Sequence, residues 1–395
     1  MITSSLLGII PSEFMFNDNR LLQKCYATYS FLMMVYYVMF LTTAYIQLYL
    51  ITFYEEFQLD QVSANITVTL INTITIMKQF TRITPSFKTM IRQIIKNEED
   101  FDSMDDKNLN DIYENGIKSA TIASKLYLLG LFGVIFQYVT NPLIHGPTQQ
   151  VLMGNKTINV KPLPLSLWSP FDDQKYYIIA YLRHMVDGTI AISFLGYTDI
   201  LIFTLIAYPV GQLKILNYLL KHFETYKQKY NKLHNLADEN RAAYFLCLDN
   251  IVKHKNIIMY VKHFNETMSG LMLLEFFHFS LEIAAMCIQT VANDFSPAIM
   301  LFVADGFISL IVRLFLYYYY ANEVIVLSQE LAVSIYKSNW YDQSPKVKFM
   351  MQIFMARAQK PLSYTIGPFS DMSLDSMIAI LKATYTYIML MYNTK

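Results

Sequence analysis

Charge is scarce in this sequence. Lys, Arg, Asp and Glu make up 16% of the 395 residues, where a soluble chain carries about a quarter. The 31 basic and 31 acidic residues cancel to a formal charge of zero, so no nucleic-acid partner is expected. Cysteine is equally thin. Cys25, Cys247 and Cys287 are scattered, which leaves no zinc spacing and no disulfide framework. A Gly-rich phosphate loop, His-Glu-x-x-His, a nucleophile elbow and Cys-x-x-Cys are all missing. No enzyme chemistry, catalytic residue, metal site or cofactor is therefore expected. The apolar opening Ile2 to Ile10 is short and has no basic leader. It does not read as a cleavable signal peptide, and the first true span is expected to act as the signal.

What is present is apolar and aromatic. Hydrophobic residues make up 54% of the chain and aromatic residues 15%. They gather into runs of membrane-spanning length: Tyr29 to Thr52, Val62 to Phe80, Lys125 to Ile144, Tyr176 to Pro209, Phe264 to Val291, Pro297 to Tyr320 and Ser373 to Tyr392. The fold class expected is an all-α membrane protein with seven transmembrane helices. Arg82 to Lys118 and Gly211 to Lys262 are charged and helical in pattern, whereas His145 to Asp173 holds Pro147, Pro162, Pro164 and Pro170 and reads as a loop with its own fold. Basic residues fall on one side of the alternating spans. That side holds Arg20, Lys24, Arg82 to Lys118, Lys214 to Lys262 and Lys337 to Lys360, and the other has only Lys156, Lys161, Lys175 and Lys395. Basic loops stay inside, so the N-terminus is expected inside and the C-terminus outside. A G-protein-coupled receptor needs the opposite orientation, and its Asp-Arg-Tyr after the third span is missing too.

Ionisable groups within spans cost roughly 2.5–3.5 kcal/mol each and mark protein- or water-facing positions. Arg183 and Asp187 are spaced for an i,i+4 pair, and His184 beside them is a candidate polar contact. Arg313 is expected to snorkel or to pair inside the bundle, and Glu275 and Glu282 need partners that the sequence does not name. The outer halves of the spans mix aromatics, Met and small polar residues. Asn72, Thr73, Met77, Gly133, Gln137, Tyr138, His184, Thr189, Ile283 and Met300 are the candidates for lining a small-ligand cavity; ordinary helix packing explains any one of them equally well. Asn155 opens the sequon Asn155-Lys156-Thr157 on the expected outer side and is a glycosylation candidate.

The last seventy or so residues organise the chain. An amphipathic helix is expected over Asn322 to Tyr341, a basic helix over Lys346 to Lys360, and then a turn-rich piece leads to a final helix from Ser373. On that helix Ala379, Ala383, Thr386, Leu390 and Thr394 share one stripe. A small-residue stripe suits a pore-facing surface, and it suits close helix packing in a membrane as well.

Ser328, Tyr336, Trp340-Tyr341, Arg357, Gln359-Lys360-Pro361, Gly367, Phe369, Ser373-Leu374 and Thr384-Tyr385-Thr386-Tyr387 form a compound pattern. It resembles the C-terminal signature of the insect odorant receptor family. Gustatory receptors close on Thr-Tyr, four residues and Gln-Phe, whereas this chain has Tyr392-Asn393 there. The resemblance implies a ligand-gated, nonselective cation channel that assembles as a tetramer with the odorant co-receptor. It implies a multi-pass protein in the plasma membrane of sensory neurons, opened by a small volatile ligand and in contact with membrane lipid. It also implies a division into 1–320 (lead and six spans with an outer-half pocket), 321–371 (intracellular anchor) and 372–395 (pore helix). Leu390 falls at the apolar constriction, with Asn393 and Thr394 at the mouth and Thr386 on the same pore stripe. Trp340, Tyr341 and Phe354 are the expected subunit contacts. A gustatory-type channel, a G-protein-coupled chemoreceptor and a transporter are the alternatives.

Overall fold

The computed structural model describes residues 7–16, 19–53, 59–102, 106–144, 149–153, 156–234, 238–292 and 297–393. For 59–61, 63–64, 100–102, 141, 143–144, 149–153, 156–159, 287–292, 297–303, 387–388 and 390–393 it describes the backbone alone. Helix dominates because the apolar runs are seldom interrupted by proline or by paired glycines. The helices are α1 (Arg20–Phe53), α2 (Leu59–Thr81), α3 (Pro85–Asp102), α4 (Lys107–Ile144), α5 (Tyr177–Lys221), α6 (Phe223–Leu233), α7 (Glu239–Ala292), α8 (Pro297–Lys337), α9 (Pro345–Ala358) and α10 (Leu374–Asn393). The described residues also include two short antiparallel hairpins. β1 (Gln149–Met153) pairs with β2 (Lys156–Val160) in the register Gln150↔Asn159, and β3 (Thr365–Ile366) pairs with β4 (Ser370–Asp371).

Among the described residues, five helices are long and apolar enough to cross a membrane by length and composition: Arg20–Phe53, Lys107–Thr140, Tyr177–Lys221, Glu239–Met286 and Ala304–Lys337. The other two expected spans are the helices α2 and α10. α2 dilutes its apolar content with threonine and asparagine, yet its hydroxyls are turned inward. Thr69, Thr73 and Thr75 each donate to the carbonyl four residues back at 2.7–2.8 Å, which hides that polarity from an apolar neighbourhood.

The separate amphipathic helix expected over Asn322 to Tyr341 is corrected by the structure. α8 runs unbroken from Pro297 to Lys337, and a single 3-10 turn, Trp340–Asp342, follows it. No proline or glycine lies near residue 320 to stop it, and Ala321, Val324 and Leu331 continue the fully buried stripe. In the same way α7 joins the charged stretch before Lys262 and the fifth span in one helix.

α5 and α8 form the centre of the bundle, with α2 laid along α7 and α4 along α5. α5 contains Pro209, which has no N–H and so leaves the carbonyl of Leu205 without its helical donor. The buried hydroxyl of Tyr260 on α7 donates to that carbonyl at 2.9 Å, and Tyr364 donates to the neighbouring Ile206 carbonyl at 3.3 Å. Tyr364 stands just after α9, so the segment before α10 is fastened to the middle of the bundle. Asn265 reinforces this attachment: its side-chain amide donates to the Ser363 carbonyl and accepts from the Thr365 N–H.

Candidate functional site

Two adjoining features occupy the bundle centre, a buried charge cluster and a cavity. In the cluster, Lys78 (α2) and Arg313 (α8) face Asp199 (α5) and Glu275 (α7). Lys78 Nζ lies 2.7 Å from Asp199 Oδ1 and also bonds Glu275. Arg313 Nε lies 2.7 Å from Asp199 Oδ2, and its Nη2 spans both Glu275 oxygens at 2.8 and 2.9 Å. Tyr127 (α4) and Tyr317 (α8) donate to the two oxygens of Asp199 at 2.7 and 2.9 Å. Two positive and two negative charges cancel, and nearly every polar atom is paired, which is the condition under which charge survives away from water. The cluster ties five helices together at one point. Glu275 thereby gains the partners that the sequence could not name, and Arg313 pairs inside the bundle rather than snorkelling.

Directly against this cluster lies a cavity of about 680 Å³, within the roughly 300–1,000 Å³ typical of small-molecule sites. Its wall is mostly apolar. Phe40, Ile71, Leu131, Ile135, Ala191, Leu195, Met286 and Leu310 contribute from α1, α2, α4, α5, α7 and α8. Glycines thin the wall at 188 and 306, and Tyr127 and Arg313 belong to both wall and cluster.

The proline-rich stretch after β2 closes one side, Val160 to Leu167 lying on the wall. It is fixed there by hydrogen bonds to three helices. Asn65 donates to the Ser166 carbonyl at 3.0 Å, the Trp168 N–H reaches the Thr43 carbonyl at 3.3 Å, and Tyr177 donates to the Pro162 carbonyl at 2.9 Å. Arg183 binds Ser169 and the Trp168 carbonyl while its Nε sits 3.3 Å from Asp187. The spacing-based pair is thus present, and it holds a loop.

Of the ten candidate lining residues, Asn72 and Tyr138 reach the wall. Asn72 is half occupied elsewhere, accepting from Tyr37 at 2.5 Å. Seven others lie off it. Thr73 bonds Tyr45, Met77 and Thr189 face outward, and Ile283 and His184 are buried in helix packing. Gln137 donates to Asp305 at 3.1 Å, and Gly133 lets Asp305 come close, since an added Cβ would meet its carboxylate at 2.9 Å. The side chain of Met300 is outside the described residues. Residues that the sequence reading missed include Asn65, Tyr127, Leu131, Leu195, Glu282, Ser309 and Arg313. A shared helical face could have suggested Leu131 and Ile135; nothing local marks the loop residues.

α10 lies against α7 and α8. Ser376, Ile380 and Thr384 form its buried edge, while Ala379, Ala383 and Thr386 face away from the protomer. Thr386 returns its hydroxyl to the Lys382 carbonyl at 3.0 Å. The side chains of Leu390 and Asn393, and all of Thr394, lie outside what is described, as does Asn155. At the opposite, charged end Tyr341 is exposed and Trp340 half-buried. Phe354 corrects its expected role. It is 3% exposed and lies 5.2 Å from His254 inside the protomer, so it has no surface to offer a second subunit.

A family model described as 7tm Odorant receptor matches residues 58–385. Odorant receptor 10 of Aedes albopictus is similar to this chain, at 26% identity over 59% of the chain and 60% of that protein. The odorant receptor coreceptor of Aedes aegypti is 25% identical over 37% of the chain and 30% of its own length. The matched stretches therefore span only part of these relatives. The solved structure of the insect olfactory receptor OR5 from Machilis hrabei aligns at a TM-score of 0.76, and its complex with eugenol at 0.73, each at 18% identity over all of this chain and 96% of that one. At that identity the likeness is one of fold.

Proposed function

This chain belongs to the 7tm odorant receptor family, a family of multi-pass membrane proteins, and from that premise we propose that it is the ligand-binding subunit of an odorant-gated cation channel. The observation that carries the reading is the cavity of about 680 Å³, lined mainly by apolar side chains and backed by a charge-balanced buried cluster. A small volatile molecule filling it contacts α5, α7 and α8 at once. α10, the helix whose small-residue stripe is left open, rests on α7 and α8. Ligand binding shifts the channel by its differential affinity for open and closed arrangements of these helices.

The pore reading has support in that stripe: copies of α10 around an axis present Ala379, Ala383 and Thr386 to it, and Leu390 lies one turn further along. The basic residues clustered at the end holding α3, α6 and α9 support an inside N-terminus, with the cavity in the outer half. A co-receptor partner completes a heterotetramer through the charged end, where Tyr336, Tyr341, Phe349 and Ile353 are exposed. The protein then resides in the plasma membrane of sensory neurons.

The test is whole-cell current in cells expressing this chain with and without an insect odorant co-receptor, over a volatile panel. The reading expects cation current that needs the co-receptor and is lost in Leu195→Trp, which fills the cavity. Current that persists in Leu195→Trp, or that vanishes when G-protein signalling is blocked, contradicts it.

A further inference from the structure

The polar groups of the cavity wall are not equally engaged. Asn65 is satisfied by Ser166 and Thr69, Asn72 by Tyr37 and Val68, Gln174 by Lys161, and Tyr127 by Asp199. Among the wall residues, the buried polar atoms without a hydrogen-bond partner are Glu282 Oε2 on α7, Arg313 Nη1 opposite it on α8, and Ser309 Oγ, which lies against Gly130 of α4. Arg313 is held rigidly, because its other two nitrogens are bonded to Asp199 and Glu275. Its remaining nitrogen lies 3.9 Å from Glu282 Oε2. That separation is too long for a direct bond, and it leaves room for one oxygen at about 2.9 Å from each atom. His278 Nδ1 also approaches Glu282 at 3.4 Å without forming a hydrogen bond, and its Nε2 faces the Thr67 carbonyl at 3.3 Å.

Resting on the cavity being the ligand site, we propose that this cavity selects ligands bearing a hydroxyl group, whose oxygen sits between Glu282 and Arg313, donating to Oε2 and accepting from Nη1. A buried unpaired donor and a buried unpaired acceptor both favour the one group that satisfies the two together. A ketone, aldehyde or ether can accept from Arg313 but leaves the carboxylate oxygen unmet. A carboxylic acid ligand brings a second anion against Glu282, and an ammonium brings a second cation against Arg313. Ser309, one turn before Arg313 on α8, gives the same end of the cavity a further hydroxyl. The apolar wall takes the carbon skeleton.

The experiment compares 1-octanol, 4-ethylphenol and linalool with the methyl ether and the parent hydrocarbon of each, as agonists of the full chain expressed with an odorant co-receptor. Potency of the active alcohols about tenfold above their ethers is expected, the scale of one charge-assisted hydrogen bond. Glu282→Leu lowers the alcohols further than their ethers and so removes the preference, with surface expression of the variant measured separately to show that it folds. Glu282→Gln, whose amide oxygen still accepts, restores part of the preference. Equal potency of alcohol and ether in the wild type, a Glu282→Leu loss shared equally by both, or no activation by any of the alcohols overturns the proposal. Leu195→Trp separates the two readings. If it abolishes every response while no hydroxyl preference exists, the cavity stands and the selectivity falls. If responses survive it, the cavity reading itself fails.

Discussion

Asp199 receives four side chains from three other helices, Lys78, Tyr127, Arg313 and Tyr317, and both of its oxygens are used twice. Removing one partner from such a buried cluster strands the others, a loss of about 3–5 kcal/mol. Asp199→Asn should therefore lower the thermal midpoint of the detergent-purified protein by many degrees, read by fluorescence-detected size exclusion. An unchanged midpoint would mean that the cluster is not holding the helices. Each charge was conspicuous in the sequence, since ionisable residues inside apolar runs need a reason. The pairing was not legible, because Asp199 on α5 meets Lys78 from 121 positions before it and Arg313 from 114 positions after it only when α2, α5 and α8 are assembled.

A second residue gives a pH prediction outside the apolar spans. His254, in the charged first half of α7, is pushed down to about 4 by burial, with the Arg357 charge adding to the effect. The unfolded chain binds this proton below about 6.5, the folded chain only near 4, so stability rises with pH across that window and falls as it is acidified. The thermal midpoint should drop between pH 7 and pH 5. His254→Phe, which keeps a ring against Phe354, should reduce that drop. An equal drop in the variant would assign the acid sensitivity elsewhere.

At the scale of elements, the long helices were the most legible part, because apolar runs and the scarcity of internal breakers suffice to write them. Their ends were less so. Nothing near Ala321 ends a helix, so α8 carries on where a change in polarity suggested a boundary. The proline-rich stretch between β2 and α5 could be recognised as a structured loop from composition, but its position on the cavity could not. That depends on Asn65, Thr43 and Arg183, residues on three separate helices. Arg183 is the one that combines a helix pair with loop contacts. Arg183→Leu should speed amide hydrogen exchange at Ser166 to Ser169 by tenfold or more, while α5 exchange stays slow. No change there would mean that the remaining bonds alone hold the loop.

Gly367 shows a local rule fulfilled by tertiary structure. Its φ of +53° suits glycine, and an added Cβ would meet Leu273 on α7 at 2.9 Å. Its N–H donates to the Ser269 carbonyl at 3.0 Å. The β3–β4 turn can therefore lie flat on α7 immediately before α10, which fixes where the last helix starts. The sequence marked this glycine through its place in the C-terminal pattern; the reason for it appears only with α7 alongside.

For the whole molecule, cavity, cluster and last helix form one continuous arrangement. Arg313 lines the cavity and anchors the cluster, α7 and α8 carry both, and α10 lies on those two helices with Ala379, Ala383 and Thr386 turned outward. A ligand that moves α7 relative to α8 must therefore disturb the seat of α10. The direct measurement is odorant-evoked current in cells expressing this chain together with an insect odorant co-receptor, after Thr386→Cys or Tyr385→Cys, with a charged thiosulfonate applied while the current flows. The account predicts that modification at Thr386 alters or blocks the current, whereas modification at Tyr385, on the neighbouring bulky face, leaves it unchanged. Block at Tyr385 with Thr386 insensitive would place the ion path on another surface and contradict the account.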